Sequence, residues 1–250
     1  MSVEFDDLFT LGKTIYSTDT FEHQHYSEFL DMYDANYIKF KQPISLKEFK
    51  KTEKYLKDFH QKNGQTHLKF KFPKNITFSD ELNTYLQQEK YDIDSLELFK
   101  LKKTNFPSLS QSTDIDIDLV TLNHLDDLLI LRFNLNKEYG KDYAHRKNDL
   151  IKEHLQSSNI QFLIAYYKKI PAGCVNVIST DSTLEIDDLY VHEDFRNKQI
   201  ASFLQGKVIE MAQDKEVILQ ADGNDTPREM YLKQGYELQS NRFEIFKLFS

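Results

Sequence analysis

Cysteine is nearly absent from this 250-residue chain, in which Cys174 stands alone. A lone thiol excludes an internal disulfide and any zinc site built from several cysteines. A reducing cytoplasm is the expected setting. Glycine (7) and proline (5) are also scarce, which excludes a collagen-like or linker-rich chain. No run approaches the ~18 apolar residues of a membrane span, so no membrane partner is expected. The N-terminal stretch Met1-Ser-Val-Glu-Phe-Asp-Asp7 is acidic and lacks the basic-then-apolar pattern of a secretory signal. Positive charge is in deficit, with 32 Lys+Arg against 40 Asp+Glu and a net charge of −8. That balance argues against nucleic acid as a partner. Neither a P-loop nor a Gly-rich dinucleotide fingerprint occurs.

What remains is globular: 40% hydrophobic, 13% aromatic and 29% charged residues. The length fits one large domain or two small ones, with enough apolar mass for a core. Charge is uneven. Residues 1–110 sum to −1 and residues 111–250 to −7, while residues 41–80 alone sum to +6. The Lys-rich stretch at 47–74 reads as a solvated helix and strand edge. The acidic surplus of the second half favours a small cationic partner through field focusing, and serves equally as solubilising charge.

The segment Phe106-Pro-Ser-Leu-Ser-Gln-Ser-Thr113 has no charge and lies between two strand-like runs. It marks a boundary near residue 110. Beyond it, strands and helices alternate. Asp114–Leu122, Gln161–Tyr167, Ala172–Ser179, Thr183–Val191 and Glu216–Gln220 read as strands. His124–Glu138, Asp142–Leu155 and a stretch from Ile200 read as helices. Pro227 opens a further helix that Gly235 ends. Tyr236–Gln239 and Arg242–Leu248 read as the last strands. The first half echoes part of this. Ser45–Gln61 is a helix, followed by strand Thr66–Phe72, helix Ser79–Gln88 and strand Tyr91–Leu101. Both copies carry Tyr-Leu-x-Gln in the helix and a strand ending in Phe-Lys-Leu, which sets Tyr85 opposite Tyr231. The echo reads as a diverged tandem duplication, and convergent α/β patterning would give the same signal.

The segment that carries chemistry is Leu189-Tyr-Val-His-Glu-Asp-Phe-Arg-Asn-Lys-Gln-Ile-Ala201. A strand ends at Val191, a polar loop follows, and a helix begins near Ile200. The free backbone N–H groups and positive dipole of a helix start make an anion site, which Arg196 and Lys198 reinforce. Strict alternation places Glu185, Asp187, Leu189 and Val191 on one face of the strand, and Tyr190 on the other. Several polar residues have ordinary readings. His192, just past the strand, suits a loop surface or the phosphate side. His23 and His25 lie two apart with no evident third ligand, so no metal is expected. Cys174 reads as a small buried strand residue.

The stretch Arg196-Asn-Lys-Gln-Ile-Ala201 resembles the Arg/Gln-x-x-Gly-x-Gly/Ala motif of the GNAT-type N-acetyltransferase family. Arg196 and Ala201 match, and Gln199 stands where the family usually has Gly. If that position is left-handed, a non-Gly residue costs roughly 1–2 kcal/mol. If it needs only close approach, the Gln side chain must point away. The run Asn224 to Tyr236 resembles the family's Asn-bearing turn, helix, Tyr and Gly-Phe/Tyr ending.

The resemblance covers residues 114–249. It implies an α/β fold of two GNAT-like domains, 1–110 and 111–250. Each would be a mixed, mainly antiparallel central sheet flanked by helices, with a splayed strand pair in the second. The first, lacking an Arg-x-x-Gly-x-Gly equivalent, would be degenerate. The resemblance further implies acetyl-CoA as co-substrate, held by Leu189, Tyr190, Val191, by Arg196, Asn197, Lys198, Gln199, Ile200 and Ala201, and by Asn224. Tyr231 corresponds to the family's tyrosine near the CoA sulfur, and Glu185 or Asp187 would serve as base. The implied activity is N-acetylation of a small primary amine such as an amino acid, polyamine or amine-bearing antibiotic, by direct attack in a ternary complex and without a metal. A non-catalytic acyl-CoA-binding scaffold and a peptide or protein N-acetyltransferase are the alternatives.

Overall fold

The computed structural model describes residues 2–110, 112–223 and 227–249. In chain order the first half carries β1 (Lys13–Ser17), β2 (Phe21–His25), β3 (Tyr37–Phe40), α1 (Leu46–Lys62), β4 (His67–Lys74), α2 (Asp80–Gln88) and β5 (Asp92–Leu101). The second carries β6 (Ile115–Leu119), α3 (Leu125–Asn136), α4 (Lys141–His154), β7 (Ile160–Tyr167), β8 (Ile170–Ser179) and β9 (Thr183–Val191). It ends with α5 (Ile200–Met211), β10 (Glu216–Asp222), α6 (Pro227–Lys233) and β11 (Tyr236–Leu248). The expected α/β class, with mainly antiparallel sheet, is what the structure has. β3/β4 and β9/β10 are parallel pairs. Among the described residues no helix is long and apolar enough to cross a membrane.

Two compact units divide the chain. The larger comprises Met1–Phe9, Phe99–Gln220 and Tyr231–Glu237; the smaller comprises Thr10–Leu98, Ala221–Met230 and Leu238–Ser250. They are therefore not the contiguous stretches 1–110 and 111–250. The reason is strand pairing: β11 lays Arg242–Leu248 antiparallel to Lys74–His67 of β4, so the last strand completes the sheet of the first half. β11 is also one continuous strand, where the sequence reads as two short ones.

The smaller unit orders its strands β1-β2-β3-β4-β11-β5. Helix α1 starts with a capping box: the Glu48 N–H donates to Ser45 Oγ at 3.3 Å and the Ser45 N–H donates to Glu48 Oε2 at 2.9 Å. Its buried stripe Phe49, Thr52, Leu56, His60 recurs at helical spacing and packs on Leu68, Phe70 and Phe72 of β4. The other face of β4 is polar and still buried. There Lys69 pairs with Asp34 and, at 2.8 Å, with Glu244, while Lys71 Nζ lies 4.0 Å from the centre of the Tyr37 ring. Burial and the nearby Arg242 charge push the Lys71 amine down to about 8.

Three imidazoles, His23, His60 and His67, are wholly buried in the same unit. His60 Nδ1 donates to the His67 carbonyl (2.6 Å) and His67 Nε2 to the Asn36 carbonyl (2.9 Å). Burial holds all three neutral, pushing His23 and His67 down to about 4 and His60 to about 3. Among the described residues no group of three or more His, Cys, Asp or Glu is arranged to hold a metal ion.

The larger unit orders its strands β10-β9-β8-β7-β6. Helix α3 packs Leu128 and Leu131 against Phe162, Ile164, Cys174 and Ile178 on one sheet face. Helix α5 lies on the other, where Ile200 meets Val191 beside Gly173. A Cβ at Gly173 would stand 2.7 Å from the Tyr190 carbonyl oxygen, so only glycine lets the strand and the start of α5 approach this closely. Gly235, at φ +89°, ends α6 against Asn105. Cys174 is buried, and burial pushes its thiol up.

Candidate active site

Two local irregularities of β9 build the site. The first is a bulge. Cys174 pairs with Tyr190 and Asn176 with Asp187, so Asp188 and Leu189 together oppose Val175 alone. Asp188 takes up the extra residue at φ +48°, a left-handed backbone that costs a non-Gly residue. The second is a parting of strands. β9 pairs with β10 only from Thr183↔Glu216 to Ile186↔Leu219, and Asp187–Val191 run on without it. A strand that is bulged on one side and unpaired on the other leaves backbone N–H and C=O groups open to a ligand at this end.

The bulge corrects the expected alternation. Glu185, Asp187 and Tyr190 share the face that carries Cys174, Asn176 and Ile178, whereas Val191 turns to the α5 side. Two carboxyl groups and a phenol thus line one side of the strand end. Glu185 is 7% exposed, and its Oε2 accepts the Phe9 N–H at 2.7 Å. Burial, and then the Asp187 charge, push it up to about 8, against the pull of that amide. Asp187 is half-buried and accepts from Asn176 Nδ2 at 2.9 Å. Burial and the Asp188 charge push it up to about 6, opposed by the Asn176 bond and by Lys147 and Arg132.

The helix start carries the other candidates. Asn197 (φ +63°) and Gln199 (φ +64°, ψ +10°) are both left-handed, and Gln199 is the residue capping the 12-residue α5. Of the two readings open for Gln199, the strained backbone is the one observed. Its carbonyl already accepts the Phe203 N–H at 3.0 Å, as a helix start requires. Arg196, Asn197, Lys198 and Gln199 are exposed, Ala201 is half-buried and Ile200 is buried as the anchor. Lys198 Nζ stands 5.3 Å from the Tyr167 ring centre, and burial pushes the Tyr190 phenol up against the pull of the Arg196 charge. This loop offers backbone donors, a helix dipole and two cations to an anion. His192 sits in the loop ahead of it and its Nδ1 accepts from the Asp194 N–H at 3.4 Å.

Tyr231 is 8% exposed in α6, between Phe99 (ring centres 6.0 Å apart) and Tyr236 (5.4 Å). Leu189, Tyr190 and Val191 are half-buried along the unpaired stretch of β9. Asn224 lies outside the described residues. Arg132, on α3, went unread in the sequence because a charge within a helix normally marks its solvated side. It is 1% exposed, and it bonds the bulge directly.

Residues 128–236 match the family model described as the acetyltransferase (GNAT) family, and residues 3–99 match a domain of unknown function, DUF5613. Among curated proteins none matches the chain. Among solved structures, a functionally unknown conserved protein from Staphylococcus epidermidis ATCC 12228 is 30% identical over 99% of this chain and 98% of its own, with a TM-score of 0.92. A tandem GNAT protein from the clavulanic acid biosynthesis pathway shares the fold at 10% identity, covering 84% of this chain and 74% of that one, TM-score 0.57. A GCN5-related N-acetyltransferase from Kribbella flavida does so at 9% identity, over 85% and 81%, TM-score 0.57. With the split strand, the left-handed helix start and a model match spanning both, residues 128–236 form an acetyltransferase domain of the GNAT family, in a chain that has the tandem GNAT fold with a divergent first domain.

Proposed function

We propose that the chain transfers the acetyl group of acetyl-CoA to the primary amine of a small cationic molecule, by direct attack in a ternary complex. The observation that carries this reading is the bulge at Asp188, on a strand that leaves β10 after Ile186. Acetyl-CoA supplies a thioester carbonyl whose carbon the amine attacks. The open backbone of Leu189–Val191 aligns the pantetheine arm, and an N–H there stabilises the negative charge developing on the carbonyl oxygen. The start of α5, with Arg196, Asn197, Lys198, Gln199, Ile200 and Ala201, holds the pyrophosphate. Tyr231 keeps its proton at neutral pH and donates it to the leaving thiolate. Asp187, which is ionised at neutral pH, or Glu185 once it ionises near pH 8, takes the ammonium proton. A lysine-like amine of pKa ~10.4 is under ~0.1% neutral at pH 7, so it needs such a base, while an α-amine of pKa ~8 is already roughly 10% neutral. The carboxylates of Asp187 and Asp188 also favour a cationic acceptor.

Thiol release from acetyl-CoA over a panel of amino acids, polyamines, amine-bearing antibiotics and peptides tests this. Turnover with one small-amine class is the expected result, and turnover with peptides alone would replace the acceptor class. Strain at Gln199 and the Phe9 bond to Glu185 favour a second reading, a non-catalytic acyl-CoA-binding protein. Tight acetyl-CoA binding by calorimetry without turnover on any amine would select it.

A further inference from the structure

Arg132 is the largest of the fully buried side chains, set in α3 among the apolar residues under β8. A guanidinium does not shed its proton in a protein, so its burial demands partners. Both terminal nitrogens have one. Nη1 donates to the Asp188 carbonyl at 2.7 Å, and Nη2 donates to Asn176 Oδ1 at 2.5 Å. Asn176 spends its own amide on Asp187 Oδ2 at 2.9 Å. The Asp188 carboxylate closes the arrangement from the strand, 3.9 Å from Arg132 and 3.8 Å from Lys147 of α4. One cation thus reaches two features of β9, a backbone carbonyl and, through one relay, a side-chain carboxylate. The carbonyl belongs to the left-handed residue of the bulge, a conformation that persists only where its surroundings over-determine it.

We infer that Arg132 is a positioning residue of the acetyl-transfer site, pinning the bulge through the Asp188 carbonyl and aligning the Asp187 carboxylate through Asn176. The inference rests on the acetyl-transfer reading for its kinetic consequence, and on geometry alone for its structural one. Without the Asp188 bond the strained residue relaxes toward ordinary strand, and Leu189–Val191 change the side to which they point. A buried Arg serving only the core has no reason to spend one end on the β9 bulge and the other on the β8 residue that holds Asp187. Removing a buried cation alone leaves its partners uncompensated and costs stability, so a variant that keeps Arg132 is tested beside Arg132→Met.

The test combines hydrogen exchange with kinetics on Arg132→Met, Arg132→Lys and Asn176→Ala. In Arg132→Met the amides of 187–191 are expected to exchange at least ~10-fold faster while those of β7 keep their protection. Where the wild type turns over, kcat is expected to fall ~30-fold with the acetyl-CoA KM changed less than ~3-fold, and Arg132→Lys to recover part of it. Asn176→Ala leaves the bulge bond intact and removes one donor from Asp187. Burial and the Asp188 charge of β9 then oppose its ionisation against Lys147 of α4 and Arg132 of α3 alone, while Glu185 of β9 is still protonated in this range. The acid limb of the pH–rate profile is expected to rise by about half a unit or more, with protection of 187–191 unchanged. Unchanged exchange at 187–191 in Arg132→Met, or loss of protection spread evenly over β7–β9, overturns the inference. If Arg132→Met fails to fold, an unmoved acid limb in Asn176→Ala overturns it. If the wild type turns over no amine, the acetyl-transfer reading fails, and the exchange measurement still decides the clamp.

Discussion

Tyr85 and Tyr231 occupy matching places in their helices, and their surroundings differ. In the smaller unit Glu53 accepts the hydroxyls of both Tyr85 (2.7 Å) and Tyr91 (2.6 Å), and burial with that carboxylate pushes both phenols far up. Tyr231, in the larger unit, is flanked by the rings of Phe99 and Tyr236. The wider polar interiors differ in the same way. His23, His60 and His67 are kept neutral by burial and Lys69 is closed between Asp34 and Glu244, whereas Arg132, Asp187 and Asp188, joined through the Asn176 amide, lead to an open strand. Groups locked among themselves keep a fold together. Charge led to a strand end is what acid–base chemistry requires. The divergent first domain retains the pattern of strand, helix and tyrosine, with its tyrosine tied to an internal carboxylate.

The largest expected contrast is in pH dependence, because the two units titrate in opposite directions. The histidines are neutral in the folded protein, and in the unfolded chain they take up protons below about 6.5. Their contribution is whole above that pH and is lost as pH falls toward 4, on the order of 3 kcal/mol for each by pH 4. Glu185 has the other sign. Its folded form is favoured when protonated, so its contribution is present below about 4.5 and is lost as pH rises through about 8. Denaturant titrations followed by hydrogen exchange from pH 4 to 9 should show the smaller unit opening first on the acid side. On the alkaline side Glu185→Gln should flatten the decline of the larger unit. A single transition, coincident in both units at every pH, would erase the distinction.

A smaller effect separates the tyrosines. Tyr231→Phe is expected to lower kcat ~10- to 100-fold with little change in acetyl-CoA affinity. Tyr85→Phe is expected to leave kcat alone and to cost about 1 kcal/mol of stability, the worth of one hydrogen bond to Glu53. Equal kinetic effects from the two would mean that their surroundings do not set their roles.

The smallest effect concerns Gln199. Gln199→Gly relieves a left-handed side-chain residue, for an expected gain of about 1 kcal/mol in stability. Acetyl-CoA affinity by calorimetry should rise by up to ~5-fold if strain also disturbs the anion site. A fall in affinity would show that the Gln199 side chain itself contacts the ligand.

The legible parts of this molecule were those with a local cause. The start of α5 could be read because strand end, polar loop and apolar helix follow in thirteen residues, and Gln199 was identifiable as a departure at one position. The strands of the second half were marked by aromatic and β-branched runs. The bulge had no such mark. Asp187-Asp188-Leu189 reads as ordinary alternation, and only pairing with β8 reveals the extra residue. Arg132 was hidden because its partners lie 44 and 56 positions away. Strands β1, β2 and β3 were missed for a related reason: β1 is exposed along its length, and His23 and His25 fill positions where an apolar residue would have signalled a buried face.

The pairing of β11 with β4 also governs how the chain comes into being. Lys69 finds its ladder partner in Phe246, which the ribosome adds long after β4 has emerged. Until then the first half holds an open strand edge, the kind of surface that templates aggregation or invites a neighbouring chain to supply the missing strand. Biosynthesis therefore favours completion of the whole chain over stepwise maturation of its halves. An expression fragment ending near residue 110 would carry that open edge permanently.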